Sequence, residues 1–91
     1  MLPDSLDDLV GCDVVLDTPG TIVYLGKLVS YSTEGYWLES ADMHNTAEGH
    51  ATREQYVVEA ARDGIRVNRE RVFVLRHTVI SVSALSDVVT A

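Results

Sequence analysis

The stretch Thr21-Ile22-Val23-Tyr24-Leu25-Gly26-Lys27-Leu28-Val29-Ser30-Tyr31 decides the fold. It is dense in β-branched and aromatic residues, which suit a pleated, half-buried surface, so a long β-strand is expected here. Gly26 stands at its centre. A glycine inside an otherwise good strand marks a sharp bend, because no Cβ obstructs the curvature. Before it, Cys12 to Asp17 reads as a strand with Cys12, Val14 and Leu16 on one side and Asp13, Val15 and Asp17 on the other. Thr18-Pro19-Gly20 supplies the turn between the two. After it, Ser32 to Gly35 turns the chain and Tyr36 to Ala41 returns as a third strand. The pattern is a meander of three strands with a bent middle member.

The flanks extend this reading. Leu2 to Gly11 is expected to form a short helix: Pro3 and Asp4 suit its first turn, and Leu6, Leu9 and Val10 share one face. Asp42 to Ala51 is polar and is expected to be irregular. Thr52-Arg53-Glu54-Gln55 matches a capping box, which predicts a helix from about Arg53 to Asp63 that buries Val57, Ala60 and Ala61 and stops at Gly64. The competing reading is a hairpin turning at Asp63-Gly64, since Tyr56-Val57-Val58 has good strand propensity. Ile65 to Glu70 reads as an extended approach to two short strands, Arg71 to Arg76 and Thr78 to Ser83. Ala84 to Ala91 fits neither pattern.

With 91 residues, one domain spanning 1–91 is expected, with an insert at about 42–64. The formal charge of -7 is unevenly placed. Residues 1–50 hold nine acids against the single base Lys27, whereas residues 51–91 hold six arginines against five acids. An acidic total repels nucleic-acid phosphates at long range and makes DNA an unexpected partner. Arg66, Arg69 and Arg71, ahead of the fourth strand, are candidates for contact with an anion or an acidic partner. The lone Cys12 has no internal partner and reads as a small core residue, in keeping with a reducing, cytoplasmic setting. The first residues lack the basic start of a signal peptide, and no apolar run approaches the roughly 20 residues of a membrane span.

Motifs that carry chemistry are sparse. There is no nucleophile elbow, no phosphate-cradling glycine loop and no dinucleotide fingerprint. Asp42, His44 and His50 are the only cluster with metal-ligand residue types, but no spacing compels three or four ligands to converge, and a polar surface loop accounts for them. No metal, cofactor or enzymatic activity is expected. Among the aromatics, Tyr36 lies close to a turn from which a ring could stack on a base, whereas Trp37 on its strand reads as core or interface.

The order of short helix, bent meander, variable segment and two short strands resembles the Sm-like fold. Gly11 to Leu16 is similar to that family's first strand, and Gly26-Lys27-Leu28 to its glycine-x-leucine segment. Leu38 to Ala41 is similar to the end of its third strand, and Phe73 to Val82 to its second motif. The resemblance implies a mainly β, five-stranded, bent antiparallel barrel with an N-terminal helix and a helix inserted between strands three and four. It also implies an RNA site made by the turn between strands two and three and by the arginine-glycine turn. At those places this chain has Ser32 for the aspartate, Gly35-Tyr36 in a loop one residue shorter for the asparagine, Arg76 for the arginine, and His77 for the glycine. Ser32, Tyr36, Arg76 and His77 are therefore the candidate RNA contacts, through a divergent site.

The last two strands point to assembly. A strand with one wet face alternates, yet Val72-Phe73-Val74-Leu75 does not, and Val79-Ile80-Ser81-Val82 does so only partly. Left unpaired, such an edge invites aggregation. Pairing strand four of one copy with strand five of the next, as the resemblance implies, covers Val72, Phe73, Val74, Leu75, Val79, Ile80 and Val82, and a head-to-tail contact of this kind closes into a ring. The alternatives are a dimer, or a monomer whose inserted helix or tail covers the edge. A homo-oligomeric, non-enzymatic scaffold is expected, with an RNA-binding ring as the alternative.

Overall fold

The structure, a computed structural model, describes residues 5–49 and 51–90. Five strands form one antiparallel sheet: β1 (Asp13–Asp17), β2 (Ile22–Tyr31), β3 (Gly35–Asn45), β4 (Arg69–Leu75) and β5 (Ser81–Ala84), in the order β4-β3-β2-β1-β5. Among the described residues one α-helix, α1 (Arg53–Asp63), lies between β3 and β4, after a 3-10 turn at Thr46–Glu48. The mainly β architecture with an inserted helix is the one expected.

Gly26 acts as the bend. Its neighbours shift register against β3 between Leu25 and Lys27, so that Ser40 and Ala41 together oppose Gly26. A Cβ on Gly26 would stand 3.0 Å from that of Ala41 and 3.2 Å from the Glu39 carbonyl oxygen. Ser40 takes up the extra residue with φ at 48°, in the left-handed region. The curvature lets Val14 and Leu16 of β1, Leu28 of β2, Tyr36 and Leu38 of β3 and Val74 of β4 share one core cluster, joined by Val72, Val79 and Val82.

A second cluster lies on the opposite face. Tyr56, Val57 and Ala60 of α1 cover Val15, Val23 and Leu25, with Leu85 and Val88 beside them. The helix is secured as the capping box requires: the Gln55 amide donates to the Thr52 hydroxyl at 3.1 Å, and the Thr52 amide to the Gln55 side chain at 2.9 Å. Arg53 adds a tie to the β1–β2 turn through the carbonyls of Thr18 and Gly20 and a 3.6 Å ion pair with Asp17. The helical reading of 53–63 stands, and the hairpin does not.

Several expectations need correction. The N-terminal segment makes a single 3-10 turn, Leu6–Leu9, rather than a helix running to Gly11. The backbone is drawn off into sheet pairing instead, since the Gly11 amide donates to Leu28 at 2.7 Å and Leu28 donates to Cys12 at 2.9 Å. Leu6 and Leu9 pack on the core, but Val10 is exposed. Residues 2–4 of the expected helix lie outside the described residues. Cys12 is an exposed residue ahead of β1, not a core residue. β1 does not alternate: Val14, Val15 and Leu16 are all buried, because the sheet is covered on both faces there.

β3 runs on to Asn45, through residues expected to be irregular. Met43, His44 and Asn45 pair with Tyr24, Val23 and Ile22, and the Asn68 side chain both accepts from the Met43 amide and donates to its carbonyl. β4 begins at Arg69, two residues early, while Arg76–Thr78 is a 3-10 turn and β5 starts only at Ser81. The unassigned tail contributes another 3-10 turn, Leu85–Asp87, whose Leu85 closes the second cluster.

Candidate interaction surfaces

The β2–β3 turn and the link between β4 and β5 stand together at one end of the sheet. The Arg76 amide donates to the Glu34 carbonyl at 2.9 Å, and Thr33, Glu34, Leu75, Arg76 and His77 line an open depression of about 550 Å³. Arg76 and His77 are exposed, so both present their side chains to solvent. Ser32 shapes the turn: its hydroxyl accepts from the Glu34 amide at 3.1 Å and its own amide donates to Gly35 at 2.9 Å. Glu34 places a carboxylate beside this depression, a feature the sequence reading overlooked although the residue stands in the turn itself.

Tyr36 does not join the others. It pairs with Val74 and is buried in the first core cluster, so it is corrected from a candidate stacking residue to a core residue. Its neighbour Trp37 faces the other way and is half-buried. The ring lies 4.9 Å from Phe73, tilted by 50°, and the Arg71 guanidinium sits 4.4 Å above it. Arg71 also pairs with Glu39 at 3.9 Å.

The three arginines are engaged separately. Arg66 lines a small cavity of about 20 Å³ at the end of α1, Arg69 donates to the Asn68 carbonyl at 2.9 Å, and Arg71 is held against Trp37.

Asp42 is not a loop residue but is only 1% exposed, on β3. The Tyr56 hydroxyl donates to its Oδ2 and the Asn68 side-chain amide to its Oδ1 at 2.9 Å. Burial, reinforced by the Asp42 carboxylate, pushes the Tyr56 hydroxyl far above its usual pKa. His44 stacks flat on Tyr56 with ring centroids 3.6 Å apart. These contacts tie α1 and the approach to β4 onto the sheet. Among the described residues no group of three or more His, Cys, Asp or Glu converges on a metal position, and His50 lies outside them.

β4 and β5 end the sheet, each hydrogen-bonded to one neighbouring strand of its own chain. Leu75 is 49% exposed and Ile80 65%, while Val72, Phe73, Val79 and Val82 are half-buried and Val74 is buried. α1 packs over β1 and β2, away from the β4 edge. Among the described residues no helix is long and apolar enough to cross a membrane.

The fold defined by these elements is Sm-like. A solved structure of an Sm protein from Pyrococcus abyssii, in complex with a uridine heptamer, is similar over 92% of this chain and 99% of that one, at 16% identity and a TM-score of 0.62. No protein-family model matches the chain, and no curated protein matches it in sequence.

Proposed function

We propose that the chain is a non-enzymatic module that assembles with copies of itself, β4 of one copy pairing with β5 of the next, and serves in the cytoplasm as a scaffold for other macromolecules. The observation that carries this reading is the pair of terminal strands, neither paired with a further strand among the described residues, with Leu75 and Ile80 beside them exposed to water. Unpaired backbone groups beside exposed apolar side chains are what edge-to-edge association removes. Light scattering on dilute protein tests it: a mass several times 10.0 kDa is expected, and Ile80→Asp, at a position the single chain leaves exposed, lowers that mass without unfolding the chain. A mass of one chain at all concentrations contradicts it.

RNA binding is the second reading, supported by the placing of Arg76 and His77 beside the β2–β3 turn and by the uridine heptamer held by the similar Sm protein. The negative total and Glu34 oppose it. Binding of a uridine oligomer at low salt, lost on Arg76→Ala, supports this reading; no binding at low salt removes it.

A further inference from the structure

The depression at the β2–β3 turn holds opposite charges that do not pair. The hydrogen bond from the Arg76 amide to the Glu34 carbonyl fixes the two backbones side by side, and both residues line the depression together with Leu75. Both are exposed. Among the described residues, neither the Glu34 carboxylate nor the Arg76 guanidinium has a hydrogen-bond or ion-pair partner. A fork of acceptors and a fork of donors therefore open into one space, beside a leucine that is 49% exposed.

A ligand that satisfies both forks needs a pair of donors on one edge and a pair of acceptors on another, on a flat body that can lie against an apolar side chain. A phosphate alone suits Arg76 and is repelled by Glu34. Among the nucleobases guanine meets the requirement: its N1–H and N2–H are adjacent donors, and its O6 and N7 are adjacent acceptors. Uracil sets a single N3–H between two carbonyl oxygens, so a carboxylate facing it gains one bond and meets two like dipoles. Adenine and cytosine place an acceptor beside their amino group, against which the carboxylate has nothing to accept.

Resting on the RNA reading above, we infer that this depression selects guanine in single-stranded RNA, with Glu34 accepting from N1–H and N2–H, Arg76 donating to O6 and N7, and the ring lying on Leu75. The contacts go to base edges that only an unpaired strand offers. Glu34 is the specificity-determining residue: the charge that weakens binding of other sequences is the one that guanine answers.

Fluorescence anisotropy at low salt tests this with short oligouridines, either unaltered or carrying one central guanine or adenine. The guanine oligomer is expected to bind about tenfold more tightly than the other two. Glu34→Ala, at a position whose side chain holds no part of the fold, is expected to abolish that preference and to raise affinity for the all-uridine chain, with circular dichroism confirming the fold. Binding without a guanine preference, or a preference unmoved by Glu34→Ala, overturns the inference and leaves the RNA reading in place. Displacement of the oligomer by an equimolar amount of guanosine monophosphate keeps the guanine contact but overturns an RNA chain as its source. A protein that binds none of the oligomers overturns both readings.

Discussion

β1 and β4 carry the same kind of sequence and meet different fates. Val14-Val15-Leu16 and Val72-Phe73-Val74-Leu75 are both apolar runs without alternation. In β1 the run is satisfied inside the chain, with Val14 and Leu16 in one cluster and Val15 in the other under α1. In β4 only one face reaches the core. Phe73 finds Trp37 on the outer face, but Leu75 finds water. A run of this type demands two covered faces without saying who covers them. What lies over the strand decides: α1 covers the second face of β1 and packs away from β4.

The largest effect is expected where β4 is joined to the rest. A Cβ on Gly35 would overlap the Val74 carbonyl oxygen, a backbone atom of the β3–β4 ladder, and stand 2.9 Å from the Phe73 ring. Gly35→Ala is expected to cost about 3 kcal/mol or more in urea unfolding, since the β3–β4 ladder must part locally. A matched pair then separates the two runs. Leu16→Ala in the covered strand costs about 3 kcal/mol of chain stability, the usual figure for a buried leucine. Leu75→Ala changes the stability of dilute protein by less than about 0.5 kcal/mol yet weakens association, read by sedimentation. Equal stability losses from the two would erase the distinction between them.

A smaller effect concerns the lid over β1 and β2. Tyr56→Phe leaves Asp42 with the Asn68 donor alone and is expected to cost about 1–3 kcal/mol at neutral pH. The tyrosine's pKa is raised in the folded chain, so its contribution is complete below about pH 10, where unfolded tyrosine ionises, and is lost as pH rises through the folded value. Urea titrations across the alkaline range are expected to show a decline of stability in the parent that is reduced in Tyr56→Phe. The smallest effect is a gain. Ser40→Gly relieves a left-handed backbone at the bulge and is expected to add about 1 kcal/mol, seen as a higher midpoint of thermal unfolding.

Much of the fold was legible because it rests on local signals. Gly26 within a β-rich run marks the bend, Thr52 and Gln55 mark the start of α1, and Gly64, with φ at 101°, marks its end. What escaped depended on partners distant in the chain. Asp42 and His44 look like solvated loop residues until Tyr56 and Asn68 come to meet them. The burial of Tyr36 follows from its parity on β3, one residue from Trp37, and from the β4 register that no local pattern supplies. Cys12 differs from Val14 only in lying before the first covered position of β1. Among the candidate contacts, Arg76 and His77 were placed by the order of the elements, whereas Glu34 was missed because turn acids are ordinarily solvated.

Covalent trapping reads the neighbour of β4 most directly. In a Cys12→Ser background, Phe73→Cys and Ser83→Cys are combined and oxidised mildly, so that a bond can form only between strands that lie side by side. A ladder of disulfide-linked multimers is expected from the double variant, with neither single change producing more than trace dimer. Unlinked chains throughout, or dimers formed by Phe73→Cys alone, would contradict the pairing of unlike edges.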